Sequence, residues 1–153
     1  MLGLTLYRPW DHSIVHGPKR VENRPWRPPQ SVIGTDIALH AGKHYCREGA
    51  AFIRDLGHVL PPQSEHRDSV IVGVVRIVRA VNLDRIEDAL FATMGTGNQP
   101  AKDPVESDPW AFGPWVWVLD NVRPLATPVP CKGAQGLWRL PVDVERAVRE
   151  QTR

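Results

Sequence analysis

Short stretches in which apolar and polar residues alternate recur along the chain, and they predict a series of short strands. The predicted strands, in chain order, are Gly3–Tyr7, Lys19–Arg24, Asp36–Ala41, Ser69–Val81, Trp115–Asn121 and Gly136–Leu140. Within Ser69–Val81, the run Val70–Val75 is apolar on both faces. That pattern is typical of a central strand, which neighbouring elements cover on both sides.

Helices are predicted at four places, namely residues 10–17, Arg47–Leu56, Leu83–Phe91 and the C-terminal stretch from Pro141. Pro9 and Gly17 bracket the first, because proline is favoured at the start of a helix and glycine just past its end. Thr93–Asp108 has no apolar pattern and predicts a long loop. Within it, Gly95–Asn98 lacks the strand-to-helix context of a phosphate-binding loop.

Six or so short strands with few helices predict an α+β fold that is mostly β. We expect a small, mainly antiparallel sheet that closes toward a barrel with helices at its rim. Strands and helices do not alternate regularly, so a doubly wound fold is not expected. Fifteen prolines in 153 residues support many short elements, because the usual share of proline is about 5 %. The length predicts one domain over residues 1–153.

The net charge of +2 is distributed unevenly. Residues 1–50 contain seven Lys and Arg against four acidic residues, whereas residues 51–153 contain twelve against thirteen. A cationic N-terminal third favours an anionic partner such as RNA. Ordinary solvated surface charge is the alternative.

The sequence also limits where the protein is expected to work. No apolar run approaches the roughly 18 residues of a membrane span, and no secretory signal pattern is present. Two cysteines, Cys46 and Cys131, are too few for a disulfide scaffold and are expected to be reduced thiols. We therefore expect a cytoplasmic protein with no membrane association.

Three stretches together resemble a known family. The first, Leu4–Trp10 running through Ile14–Trp26, has the order strand, Pro-Trp helix, then Gly-x-Lys-x-x-Glu-x-Arg-x-Trp. Ile37–Ala41, followed by a helix, is the second stretch, and Gly113–Leu119 with Pro130–Trp138 is the third. In this order they resemble the ASCH domain (activating-signal-cointegrator homology), a branch of the PUA-like superfamily, over nearly the whole chain.

The resemblance implies a PUA-like β-barrel with a cleft beside the first helix. Family members are thought to bind RNA or modified nucleosides, some hydrolyse acylated cytidine, and a ribonuclease activity is reported in others. The residues that the resemblance places in the cleft as ligand contacts are Arg8, Trp10, Lys19, Glu22, Asn23, Arg24, Trp26 and His40. In an enzyme, Lys19 and Glu22 would be the catalytic residues.

The chemistry of three of these residues can be argued directly. Glu22 and Arg24 are two apart on a strand, so they share a face, and the cation holds the carboxylate ionised. A carboxylate accepts hydrogen bonds from an exocyclic amino group such as that of cytosine. Lys19 could bind phosphate or act as a base, but it joins the same face only if residues 17–19 form a turn. A surface ion pair near a strand end is the alternative.

One position departs from the cytidine-deacylating members, which have a threonine nucleophile three residues after the lysine. Glu22 stands there in this chain, and a carboxylate activates water rather than forming the same covalent intermediate. We therefore predict a domain that binds RNA or a nucleotide-like molecule, with no cofactor and no obligate protein partner. The alternative is a hydrolase, either an amidohydrolase on modified cytidine or a ribonuclease dependent on a divalent metal such as Mn²⁺.

Tryptophans and histidines leave further alternatives. Trp115 and Trp117 are expected to pack in the sheet, whereas Trp10 and Trp26 could equally pack or stack on bases. His40-x-x-x-His44-x-Cys46, and the pair His12 and His16 at i, i+4, have zinc-ligand residue types. No Cys-x-x-Cys or His-Glu-x-x-His accompanies them, so no metal site is predicted, and His40 is expected to line the cleft.

Overall fold

The computed structural model describes residues 1–85 and 102–153. Within them the strands are β1 Leu2–Arg8, β2 Val21–Arg24, β3 Asp36–Tyr45, β4 Val70–Asn82, β5 Trp115–Pro130 and β6 Leu137–Arg139. The α-helices that lie wholly inside these ranges are α1 Trp10–Val15, α2 Arg47–Asp55 and α3 Val142–Gln151. Most of the predicted helix Leu83–Phe91 and of the predicted loop Thr93–Asp108, including Gly95–Asn98, lies outside the described residues. At the end of that loop, Pro104–Ser107 forms a 3₁₀ turn.

The six strands form one mixed sheet in the order β2-β5-β4-β3-β1-β6. β1 runs parallel to β3, whereas β1 with β6, β2 with β5 and β3 with β4 are antiparallel. β4 lies inside the sheet, as its apolar run predicts. Across the described strands no pairing joins β2 to β6, so the sheet keeps two edges and the predicted closure into a barrel is not confirmed. Both edge strands are short, with four and three residues, which limits unwanted pairing at an open edge.

Three strand boundaries differ from the prediction by two or more residues. β2 begins at Val21 rather than Lys19, because the Lys19 N–H donates to the Ser13 carbonyl at 3.1 Å in the turn after α1. β3 continues past Ala41 to Tyr45 and still pairs with β1 there. Its last residues are polar, so the apolar alternation does not predict this part of the strand. β5 continues to Pro130 although its second half contains three prolines.

The chain divides into two compact units, and the single-domain prediction stays a prediction. The first unit comprises Met1–Lys19, Asp36–Arg76 and Asn121–Arg153, and the second comprises Arg20–Thr35 and Ile77–Asp120. In the first unit, the apolar face of α3 packs on the sheet. The buried residues of that cluster are Ala38, Ile71, Val74, Leu125, Leu140, Val144 and Val148.

Trp117, in the second unit, is fully buried. The Trp26 ring meets it edge-on with centroids 4.8 Å apart, and the Trp117 indole N–H donates to the Trp26 carbonyl at 3.3 Å. Trp115 is half-buried, with the Arg27 guanidinium 5.8 Å from its ring centroid. The predicted packing of Trp117 is therefore confirmed, and Trp26 packs against it.

No helix in the described ranges is both long enough and apolar enough to span a membrane. Both cysteines are free, as predicted. The Cys46 thiol sulfur accepts the Gly49 N–H at 3.2 Å and so caps the start of α2. Burial raises the pKa of the Cys131 thiol, so this group is not an activated thiolate.

Candidate functional site

Lys19 lies outside any strand, in the turn that connects α1 to β2. That placement satisfies the condition that residues 17–19 form a turn rather than strand. The residue is only 2 % exposed, which corrects the expectation of a lysine lining an open cleft. Its ammonium nitrogen lies 5.8 Å from the centroid of the Trp10 ring, within range of a cation–π interaction.

Trp10, the other member of this pair, packs between the first two helices. A β-carbon added to Gly49 would lie 2.6 Å from the Trp10 ring, so the indole rests directly on the backbone of α2. The Phe52 ring is tilted against it at a centroid distance of 6.1 Å. Of the two roles that the sequence leaves open for Trp10, the structure supports packing.

Glu22 and Arg24 are brought together on one face of β2, as their spacing predicts. The Arg24 guanidinium nitrogen lies 3.1 Å from a Glu22 carboxylate oxygen, with side chains 10 % and 19 % exposed for Glu22 and Arg24. In the register of β2 with β5, Glu22 lies opposite Trp117 and Arg24 opposite Trp115. The ion pair is thus largely buried, at the end of an edge strand.

Asn23 points to the other face of β2 and holds a loop of the second unit. Its side-chain amide donates to the Trp110 carbonyl at 2.9 Å. Its oxygen accepts the N–H groups of Phe112 at 2.7 Å and Gly113 at 3.1 Å. These three bonds use both lone pairs of the amide oxygen and one of its two N–H groups, so the contacts seen for Asn23 are structural.

The Arg8 side chain also forms hydrogen bonds to the backbone. Its guanidinium donates to the carbonyls of Gly42 at 2.9 Å, Lys43 at 2.6 Å and His66. The side chain therefore ties the end of β3 to the segment that precedes β4. A buried arginine with three carbonyl partners has a structural function that its place in the family motif does not reveal.

The His40 side chain is buried rather than exposed to solvent. Its Nε2 lies 2.8 Å from the Cys131 carbonyl oxygen, and its ring meets Trp138 edge-on. A β-carbon on Gly133 would lie 2.5 Å from its Nδ1, so the segment after β5 lies directly over the imidazole. Burial lowers the pKa of His40, which favours the neutral ring. The expectation that His40 lines an open cleft is not supported.

His44 and Cys46, which have zinc-ligand residue types, make other contacts in the structure. His44 lies against the Tyr7 ring with centroids 4.4 Å apart, and Cys46 caps α2. Residues 1–85 and 102–153 contain no group of three or more His, Cys, Asp or Glu side chains arranged to hold a metal ion.

Asp11, His12 and His16 form a cluster of titratable side chains along α1. Of these, only the histidine pair is identified from the sequence. Asp11 is buried, and this burial raises its pKa to about 7. The His12 ring lies 5.0 Å from both the His16 and the His66 rings, measured between centroids. Burial and these two neighbours lower the pKa of His12 to about 4. The i, i+4 spacing is visible in the sequence, whereas the burial that changes the chemistry is not.

The predicted site residues therefore divide between the units. Arg8, Trp10, Lys19 and His40 belong to the first unit, where Trp10 and Lys19 are brought together. The second unit contains Glu22, Asn23, Arg24 and Trp26, of which Glu22 and Arg24 form an ion pair.

Comparison with known proteins finds one matching family model and several solved structures with a similar fold. A family model described as the ASCH domain matches residues 4–106. A crystal structure of ASCH from Zymomonas mobilis is similar with a TM-score of 0.54 and 13 % identity, covering 99 % of this chain and 95 % of that one. Crystal structures of a serine-to-alanine and a tyrosine-to-phenylalanine mutant of that protein each give a TM-score of 0.53 at 14 % identity. They cover 99 % of this chain and 96 % and 98 % of theirs. No curated protein matches the chain significantly.

Proposed function

The chain belongs to the ASCH domain family, and from that premise we propose that it binds RNA or a modified nucleoside through Glu22 and Arg24 of β2. The observation that carries the proposal is the ion pair between these two residues, which is largely buried against the sheet. A carboxylate in such a place is committed to one orientation and is shielded from competing water. This is the arrangement that a specific hydrogen-bond acceptor needs.

The proposed recognition uses the two groups differently. Glu22, paired with Arg24, accepts hydrogen bonds from an exocyclic amino group. Arg24 orients the carboxylate, and its planar guanidinium is suited to a carbonyl oxygen or a base face. Cytosine, with an amino group beside a ring nitrogen and a carbonyl, matches this set.

Lys19 and Trp10 form the second part of the proposal. A lysine ammonium is suited to phosphate contact, and the cationic N-terminal third favours an anionic ligand. Because Lys19 is buried beside the Trp10 ring, we propose that it acts with its position fixed rather than as a mobile surface cation. A cytoplasmic location is part of the proposal, and the two free thiols support it.

A hydrolase is the second candidate, because a buried carboxylate can also activate water. In this alternative Glu22 is the base for an amidohydrolase reaction on a modified cytidine. The metal-dependent ribonuclease form has less support, since the parts of the chain described here offer no set of three metal ligands.

Both candidates can be tested with one matched set of variants. Binding of labelled single-stranded RNA and of N4-acetylcytidine is measured for the parent, Glu22→Gln and the control Glu48→Gln, an exposed glutamate on α2. We expect Glu22→Gln to lose about 1.5–3 kcal/mol of binding free energy, the range for hydrogen bonds to charged groups, and Glu48→Gln to bind like the parent. Folded Glu22→Gln that binds as tightly as the parent contradicts the proposal. Turnover of the acetylated nucleoside, or RNA cleavage that requires Mn²⁺, selects the hydrolase.

A further inference from the structure

Tyr7 is an aromatic residue that an interior strand of the sheet exposes to solvent. Its strand, β1, lies between β3 and β6, and its neighbours Leu6 and Arg8 are buried. Tyr7 itself is 58 % exposed. Its ring lies against that of His44, which is also exposed, with centroids 4.4 Å apart and ring planes at 57°. Because both residues are exposed, a ligand in solution can reach the two rings directly.

A register irregularity in the sheet places His44 beside Tyr7. The pairing of β1 with β3 shifts between Leu6 and Arg8, so Tyr7 lies opposite residues 42–44 rather than opposite one residue. A β-carbon on Gly42 would lie only 3.0 Å from the Leu6 carbonyl oxygen, so the two backbones run close together at this point. Irregularities of this kind change the direction of a side chain and are frequent next to functional sites.

The chain segments around this ring pair carry positive charge. Residues 1–10, 37–47 and 129–139 supply β1, most of β3, and β6 with the segment before it, and they contain no aspartate or glutamate. The exposed cations of these segments are Lys43, Arg47, Lys132 and Arg139. Among the residues that the structure describes, none of these four forms an ion pair. Exposed rings among uncompensated cations favour an anionic ligand that carries planar groups.

One of the cationic segments crosses the same face of β1 as the Tyr7 ring. The Thr5 hydroxyl donates to the Ala134 carbonyl at 2.9 Å, so the segment that follows β5 lies over Thr5. Thr5 and Tyr7 are two residues apart on a strand, so their side chains share a face. Lys132 is exposed on that segment, two residues before Ala134. All of these residues belong to the first unit.

Two other kinds of macromolecule fit this surface less well. A hydrophobic protein partner needs a broad apolar patch, whereas Tyr7 is the only exposed large hydrophobic residue that the structure describes within the three segments. Double-stranded RNA keeps its base faces inside the helical stack, where an aromatic side chain cannot reach them. Single-stranded RNA presents both an accessible base face and a charged backbone.

We propose that Tyr7 and His44 form a stacking site for an unpaired base of single-stranded RNA, whose phosphates contact the exposed cations of the surrounding segments. Because the ring planes are tilted by 57°, a base that lies flat on Tyr7 turns its edge toward His44. Every base has an aromatic face, so the site accepts different sequences. The choice of RNA rests on the proposed function, and an RNA strand rather than a free nucleoside is then the ligand of the first unit.

Fluorescence anisotropy with a labelled single-stranded RNA, and with a duplex of the same length, tests the stacking site. We expect Tyr7→Ala to bind the single strand about tenfold more weakly, which corresponds to about 1.4 kcal/mol and lies within the range for stacking one base. Tyr7→Phe keeps a ring and should bind like the parent. The control Phe112→Ala, which removes a ring from a 57 % exposed residue of the second unit, should also bind like the parent. Affinity for the duplex should be the same in all four proteins.

A charge variant gives a second measurement that does not depend on the folding of Tyr7→Ala. In Lys132→Met, the slope of log K against log salt for the single strand should become shallower by about 0.7, the contribution of one phosphate contact. The matched control Lys102→Met, an exposed lysine of the second unit, should keep the slope of the parent. Thermal melting of each variant verifies that the protein compared is folded.

Several results overturn the inference. These are an unchanged affinity of folded Tyr7→Ala for the single strand, an equal loss for the duplex, a loss in Tyr7→Phe as large as in Tyr7→Ala, or an unchanged salt slope in Lys132→Met. If Tyr7→Ala keeps its RNA affinity but loses a dimer that the parent forms in sedimentation, the patch is instead an interface between two copies of the chain.

The Glu22→Gln variant separates the stacking site from the proposed function. If RNA binding depends on Glu22 but not on Tyr7, only the stacking site fails. If RNA binding depends on Tyr7 but not on Glu22, only the proposed role of Glu22 and Arg24 fails. A parent protein that binds no RNA even at low salt contradicts both.

Discussion

The indole of Trp10 rests on the backbone of Gly49 so closely that a β-carbon there would approach the ring to 2.6 Å. The same indole lies 5.8 Å, measured from its centroid, from the ammonium of Lys19. One aromatic ring thus fixes the contact between α1 and α2 and the position of the lysine that we propose for phosphate. Substitutions at Gly49 are therefore expected to affect both the stability of the protein and the proposed phosphate binding by Lys19.

Gly49→Ala tests this contact, because helix propensity and the clash with the indole change the free energy of unfolding in opposite directions. Alanine is favoured over glycine in a helix interior by about 1 kcal/mol, so propensity alone predicts stabilisation. Because the new β-carbon collides with the indole, we expect destabilisation by about 1–3 kcal/mol, as for overpacked cores. Urea unfolding of Gly49→Ala beside Glu48→Ala, an exposed neighbour in the same helix, measures it. A Gly49→Ala protein as stable as the parent contradicts the packing of Trp10.

Arg8→Lys separates a structural arginine from a ligand contact. Lysine keeps the charge but cannot bond three carbonyls from one planar group. We expect a loss of about 2–4 kcal/mol of unfolding free energy, since charged hydrogen bonds contribute about 1.5–3 kcal/mol each and some are regained. Arg54→Lys, exposed on α2, is the control. Unchanged stability together with lost RNA binding would instead assign Arg8 to the ligand.

Asp11 and His12 titrate in opposite senses, and the sign of each follows from its shift. Burial raises the pKa of Asp11 from 3.8 to about 7, so the folded state retains its proton and stability is lost as pH rises from about 4 to 7. The pKa of His12 falls from 6.5 to about 4, so stability is lost as pH falls from 6.5 to 4. Between pH 4 and 6.5 the two effects oppose each other, and we expect a nearly flat profile for the parent.

Substituting Asp11 or His12 alone should reveal the pH dependence of stability that the other residue causes. Asp11→Asn removes the first, so its unfolding free energy should rise with pH between 4 and 6.5, by at most about 1.4 kcal/mol per pH unit. His12→Gln should show the reverse slope. Arg8, His16 and His66 interact with this pair and remain in both variants, and His44→Gln serves as the control with the parent profile. Denaturant titrations at a series of pH values measure the slopes, and parallel curves for the two variants would contradict the opposed shifts.

The salt dependence of RNA binding tests the number of phosphate contacts. The charge of the N-terminal third suits about two to four contacts, and each contributes about −0.7 to the slope of log K against log salt for a single strand. We expect a total slope of about −1.4 to −2.8. In Lys19→Met, which keeps an unbranched apolar stem beside Trp10, the slope should become shallower by about 0.7. Fluorescence anisotropy with labelled RNA measures both, and binding that is independent of salt would exclude phosphate as the main contact.

Much of the secondary structure follows from local pattern. Pro9 and the alternation in Gly3–Tyr7 locate β1 and α1, and the apolar run after Ser69 identifies β4 as an interior strand. The alternation predicts too early a start for β2, because a backbone hydrogen bond from the Lys19 N–H to the Ser13 carbonyl extends the turn past residue 19. Closure of the sheet depends on pairing between distant edges, which no local pattern specifies.

The candidate site shows a different limit. Motif spacing correctly predicts that Glu22 and Arg24 share a face, because strand geometry has a period of two. It cannot separate a polar side chain that meets a ligand from one that satisfies the backbone, and Arg8 and Asn23 are of the second kind. The burial of the Ser13 side chain cannot be predicted from local pattern either, since burial is a tertiary property.

The buried hydroxyl of Ser13 also bears on how readily this chain could be made more stable. A buried polar group is costly to the folded state when it lacks a partner, and among the residues that the structure describes the Ser13 hydroxyl has none. Removing such a group with one substitution is among the easiest routes to a more stable protein. Ser13→Ala is therefore expected to raise the stability of the chain without changing its fold.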